Sequence, residues 1–149
     1  MRRRTRAREA ALAVLYQVDL LGEGVLGGME EALRHALGRL RDDKSLVDFA
    51  RDLLVGCWKH REALDARIAA VAENWEIHRM AVIDRNILRM ATYEMLHCPD
   101  IPPKVSINEA IELAKRFSTA DSGAFVNGVL DRIHQSQLAK TENVSGDEG

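Results

Sequence analysis

Cysteine and proline are scarce in these 149 residues, phosphate-binding loops are missing, and each shortage narrows what the chain can be. Two cysteines, Cys57 and Cys98, stand far apart and outside any CxxC, which indicates neither a disulfide framework nor a cysteine-based metal site. They read as free thiols of a reducing compartment. The five histidines (His35, His60, His78, His97 and His134) share no ligand spacing. No HExxH, nucleophile elbow or glycine-rich phosphate loop is present. The acid pairs Glu30/Glu31 and Asp42/Asp43 are adjacent in sequence and read as solvated helix surface or turn. The expectation is therefore a protein that is not an enzyme, requires no cofactor or metal, and works by binding. No apolar run approaches the ~20 residues of a membrane span. The basic N-terminus lacks the apolar region and cleavage site of a signal peptide. A soluble, cytoplasmic protein without membrane engagement is expected.

What is present is a globular composition, 46% hydrophobic and 30% charged, with three prolines. A chain of this length buries roughly two-thirds of its unfolded surface, enough for a core without disulfides or metals. One domain over residues 1–138 is expected, followed by a polar, disordered tail over 139–149.

Helical periodicity runs throughout. Ala11, Val14, Leu15, Val18 and Leu21 mark a first helix over Thr5 to Leu21, punctuated by Gly22, Gly24, Gly27 and Gly28. Leu33, Ala36, Leu37 and Leu40 share a face of a weaker second helix. Ser45 with Asp48 suggests a capped start for a third, whose stripe is Leu46, Phe49, Ala50, Leu53, Leu54 and Cys57. Leu64, Ile68, Val71, Ala72 and Trp75 define a fourth, expected to pack on the third. The fifth carries Met80, Ile83, Ile87, Met90, Ala91 and Met95. Val82, Leu88, Tyr93 and Leu96 make it apolar nearly all round, which implies a central position. The prolines of Cys98 to Pro103 must break it. Ser106 and Glu109 form an S-x-x-E capping box for a sixth helix that buries Ile107, Ala110, Ile111 and Ala114. A seventh, starting near Ser122, buries some of Phe125, Val126, Val129, Leu130 and Ile133. Gly128 within it suggests a close helix approach. No segment reads as a strand, so the fold class is all-α with about seven helices.

Net charge is −2, yet Arg2, Arg3, Arg4, Arg6 and Arg8 fall in the first eight residues, and without them 16 basic side chains face 23 acidic ones. A mildly acidic body thus carries one cationic end. Arginine forks grip phosphates and stack on bases, and several together add affinity through counterion release. Charge alone does not distinguish RNA from DNA, or binding from a solubilising terminus. The cluster opposes the helix macrodipole, a small cost that favours a functional reading. Lys115 and Arg116 end the sixth helix, where the dipole favours cations in any case. Phe125 either packs into the core or offers a ring to an unpaired base. Asn127 is either an interior hydrogen-bonding residue or a ligand contact.

Four blocks, in order, resemble the NusB family: Arg6-Ala7-Arg8-Glu9 running into Ala13-Val14-Leu15-Tyr16, Arg85 to Glu94, Lys104 to Phe117, and Phe125 to Asp131. They are spread along the chain from Arg6 to Asp131, with the second helix and the tail outside them. The resemblance implies two small helical bundles fused into one domain. It further implies a transcription antitermination factor that binds the single-stranded boxA element of nascent ribosomal RNA together with NusE, a small-subunit ribosomal protein. That assembly joins an antitermination complex on RNA polymerase. Carried over by position, the RNA surface comprises Arg2, Arg3, Arg4, Arg6, Arg8, Lys115, Arg116 and Phe125, with Val126 or Val129 filling the core beneath Phe125. The surface facing NusE comprises Tyr16, Asp84, Arg89 and Glu94, with Asp84 standing where the family commonly has glutamate. Homodimers occur in the family, and the sequence does not decide between monomer and dimer. Two alternatives belong beside this reading. NusB-like domains also precede some ribosomal RNA cytosine methyltransferases, but no Rossmann unit or catalytic cysteine motif follows here. A generic basic-tailed, helical nucleic-acid binder is the other, and no basic recognition helix supports a DNA-binding version.

Overall fold

The computed structural model describes residues 3–22, 27–72 and 76–148, with side chains described through residue 138. Arg2, Gly24 and Trp75, used in the sequence reading, lie outside them. Seven α-helices and no strand are found among the described residues: α1 (Arg3–Leu21), α2 (Met29–Leu37), α3 (Lys44–Lys59), α4 (Arg61–Val71), α5 (Val82–His97), α6 (Pro103–Phe117) and α7 (Ala120–Glu148). Short 3₁₀ turns at Gly38–Asp42 and Ile77–Arg79 link them. Helices α1, α2 and α3 form one bundle and α4 to α7 the other. The two are fused because α5 also packs on α1 and α3.

The buried stripes follow the expected periodicity. Ala7, Ala10, Ala11, Val14, Leu15 and Val18 of α1 are buried, the alanines letting its neighbours come close. Leu21, expected inside, is exposed, as is Ala36 of α2. Helix α5 is central, with Ile87, Leu88, Met90, Ala91, Tyr93 and Met95 all buried. The fourth helix packs chiefly on α5 and α7 rather than on α3. Its buried Leu64 and Ile68 share the face turned toward them.

The starts of α3, α6 and α7 differ from the sequence expectation, each for a local reason. The cap of α3 is Asp43, whose Oδ1 accepts from the Leu46 backbone N–H at 3.3 Å, so Ser45 lies inside the helix. Helix α6 starts three residues before Ser106, with Pro103 in its first turn, where a missing N–H costs nothing. Ser106 and Glu109 therefore form no capping box. Ser106 is buried and donates to Glu94 Oε1 at 3.0 Å, and Glu109 accepts from Thr5 Oγ1 at 3.0 Å. Thr119 caps α7 by accepting from the Ser122 N–H at 3.1 Å, two residues ahead of the expected start.

The close approach attributed to Gly128 is elsewhere. A side chain at Gly128 would meet open space, whereas a methyl on Gly56 would collide with the Tyr93 ring. Gly56 thus lets α3 and α5 touch, and there Tyr93 Oη donates to Asp52 Oδ1 at 2.7 Å. Cys57 and Cys98 are buried and free. Burial pushes the Cys57 thiol well up and that of Cys98 to about 11, which keeps both protonated and inert.

Candidate nucleic-acid interface

The N-terminal arginines divide by helical phase. Arg3, Arg4 and Arg6 are exposed. Arg3 bonds Asp43 at 2.7 Å, an interaction that, with the Leu46 N–H, holds the Asp43 carboxyl below its usual range. Arg4 lies 4.5 Å above the Phe49 ring and 4.0 Å from Asp100, both loose contacts. Arg6 has no partner among the described residues. Arg8 corrects the expectation: it is 3% exposed, and its fork grips Glu94 through Nε (2.9 Å) and Nη2 (2.8 Å). The signal was in the sequence, since Arg8 sits three, four and seven residues before the buried Ala11, Leu12 and Leu15.

Beside the exposed arginines runs an open groove of about 880 Å³ along α6, bounded by Thr5 of α1 and Asn127 of α7. Lys115 and Arg116 line it, and both are exposed. Lys115 lies 3.9 Å from Glu112, while Arg116 pairs with Glu9 of α1. Lys115 also lies over Gly123, where an added Cβ would sit 3.1 Å from its Cγ, so this glycine brings α7 close beneath the cation. Asn127 is exposed, which removes the interior alternative for it.

Phe125 is half-buried. It packs against the core and lines a second pocket of about 270 Å³ with Met80, Asp84 and Ser122, among others. Val126 and Val129 fill the core beneath it. The freer aromatic is Phe117, 47% exposed at the end of α6, with the Arg116 guanidinium 5.3 Å above its ring. Sequence reading passed over it because the residue only closes the α6 pattern.

The four residues matched to a protein-partner surface do not share one. Tyr16 is 38% exposed, and Leu20, one turn further on the same face of α1, is also exposed. Asp84, Arg89 and Glu94 are buried. Asp84 Oδ2 accepts from Ser122 Oγ at 2.9 Å, while its Oδ1 has no partner among the described residues. Arg89 grips Asp65 through two bonds (2.6 and 2.9 Å) and reaches Asp19 at 2.9 Å. Burial opposes the charge on Arg89, but these two carboxylates outweigh it and raise its pKa.

Helical throughout its described elements, with exposed cations beside an open polar groove and no metal-ligating cluster among the described residues, the molecule has the make-up of a helical nucleic-acid-binding protein. The comparisons narrow that class: the NusB family model matches residues 5–135, and the chain belongs to the NusB family. A transcription antitermination protein NusB from Anaeromyxobacter dehalogenans is 48% identical over 132 residues, covering 88% of this chain and 89% of its own length. A solved T. maritima NusB superposes with TM-score 0.78 at 40% identity, covering 89% of this chain and 90% of that one. The crystal structure of antitermination factors NusB and NusE in complex with double-stranded RNA contains a chain with TM-score 0.76 and 28% identity, covering 91% and 98%.

Proposed function

We propose that this chain is a transcription antitermination factor that binds the boxA element of nascent RNA jointly with NusE and so helps assemble an antitermination complex on RNA polymerase. The observation that carries the reading is the open α6 groove beside the exposed N-terminal arginines, in a chain of the NusB family. The role is recognition without chemistry, in the cytoplasm. Arg3, Arg4 and Arg6, with Lys115 and Arg116, serve as phosphate contacts, and Arg8 acts behind them by holding α1 to α5. Phe125 and Phe117 offer rings for unpaired bases. The apolar face of Tyr16 and Leu20 is the part of the expected NusE surface presented to a protein partner.

The test is binding of a boxA-like single-stranded RNA, with and without NusE, beside a scrambled RNA and the matching DNA. Tightest binding to the boxA-like RNA in the presence of NusE is expected, and equal affinity for all three would sink the reading. Replacing Arg3, Arg4 and Arg6 together with alanine should weaken binding across sequences. It should make the log–log salt slope shallower by about 2, at ~0.7 per phosphate on a single strand. An unchanged slope would remove these arginines from the phosphate path.

A further inference from the structure

The α6 groove has an uneven chemistry that bears on which side of a strand enters it. Its cations, Lys115 and Arg116, stand at one end, whereas Glu109 and Glu112 line the stretch between them and Thr5. Glu109 already accepts from Thr5 Oγ1 and lies 3.8 Å from the buried Arg8, so it is a fixed carboxylate rather than a side chain free to swing away. A run of phosphates laid along that stretch would face two carboxylates. The neutral, hydrogen-bonding edges of bases placed there would not be repelled by them. The groove therefore suits bases pointing inward, with the phosphates passing along the cationic rim.

Two side chains there are free to read those bases. Asn108 of α6 and Asn127 of α7 line the same groove, both are exposed, and neither amide has an intramolecular hydrogen bond among the described residues. Each carries a carbonyl acceptor beside an NH₂ donor, the pairing that matches adjacent donor and acceptor atoms on a base edge, adenine above all. We infer that Asn108 and Asn127 are the specificity-determining pair of this groove, hydrogen-bonding the edges of unpaired bases while Lys115 and Arg116 hold the backbone. This rests on the single-stranded RNA reading proposed above and adds the strand's orientation and the residues that discriminate sequence.

The experiment compares Asn108→Ala, Asn127→Ala and the double variant with the wild type, titrating a boxA-like and a scrambled single-stranded RNA across a salt series. Each single change should weaken the boxA-like RNA about tenfold. Affinity for the scrambled RNA, the salt slope and the melting temperature should stay as they were. The double variant should lose most of the discrimination. Discrimination that survives the double change overturns the inference and leaves the functional reading standing. An equal loss on both RNAs, or a shallower salt slope, also overturns it, because the amides would then be backbone contacts. A wild-type protein that does not discriminate overturns the functional reading and this inference with it.

Discussion

Helix α5 and the α6 groove use the same residue types in opposite ways. Around α5 nearly every polar side chain is committed to specific neighbours. Asp84 takes Ser122 of α7, and Arg85 and Asn86 take Asp19 of α1. Arg89 takes Asp65 of α4, Tyr93 takes Asp52 of α3, and Glu94 takes Arg8 of α1 with Ser106 of α6. One helix thereby pins five others by position-specific bonds within an otherwise apolar core. Along the groove several polar groups are exposed, and two of them, Asn108 and Asn127, are without internal side-chain partners among the described residues, as is Arg6 on the neighbouring N-terminal turn. Arginine shows the difference best. A guanidinium withdrawn from water needs a carboxylate with matched geometry, and that requirement makes it structural. The same group on the surface keeps its hydration and can exchange it for a phosphate.

The comparison breaks most easily at Arg8. Replacing it with alanine leaves Glu94 buried without its ion partner and should cost about 3–5 kcal/mol of stability by denaturant unfolding. Arg6→Ala should stay within about 0.5 kcal/mol. Equal small effects at both positions would mean that Arg8 is not structural.

Gly56→Ala comes next, because the added methyl must displace the Tyr93 ring and should destabilise by about 1–3 kcal/mol. Gly128→Ala, with open space around it, should instead stabilise α7 by about 0.5–1 kcal/mol. The two changes having the same sign would contradict the packing described for α3 and α5.

The smallest and most condition-dependent effect is at Asp19. Burial pushes its carboxyl up, but hydrogen bonds from Arg85 and Asn86 and the charges of Arg89 and Arg85 outweigh this and leave it below its ordinary value of 3.8. A lowered carboxylate contributes stability that is present above its unfolded value and is lost as pH falls through the folded one. The stability gap between wild type and Asp19→Asn should therefore be full at neutral pH and shrink below pH 3.8. A gap that does not change with pH would show that Asp19 is not held as a paired anion.

Helix number and type were legible because the 3.6-residue recurrence of apolar side chains is a local property, and α5 announced its central place by carrying apolar residues nearly all round. Helix starts were less legible. The S-x-x-E spacing of Ser106 and Glu109 mimics a capping box, but Pro103 opens the helix earlier and both side chains are drawn to Glu94 and Thr5. The candidate site was half legible. The arginine cluster, Lys115 and Arg116 mark the groove's cations, but charge content does not say which of them meets solvent. Arg8, Arg89, Asp84 and Glu94 look like surface residues in sequence and are buried.

The sequence by itself determined an all-helical chain, a cationic N-terminus and, through four ordered blocks, the family. Those features depend on neighbours within a few residues or on motifs read along the chain. Only the tertiary structure decided which charges bind inward and which remain available outward. That choice depends on partners such as Glu94 for Arg8 or Asp65 for Arg89, far off in sequence and brought within 3 Å only when the helices pack.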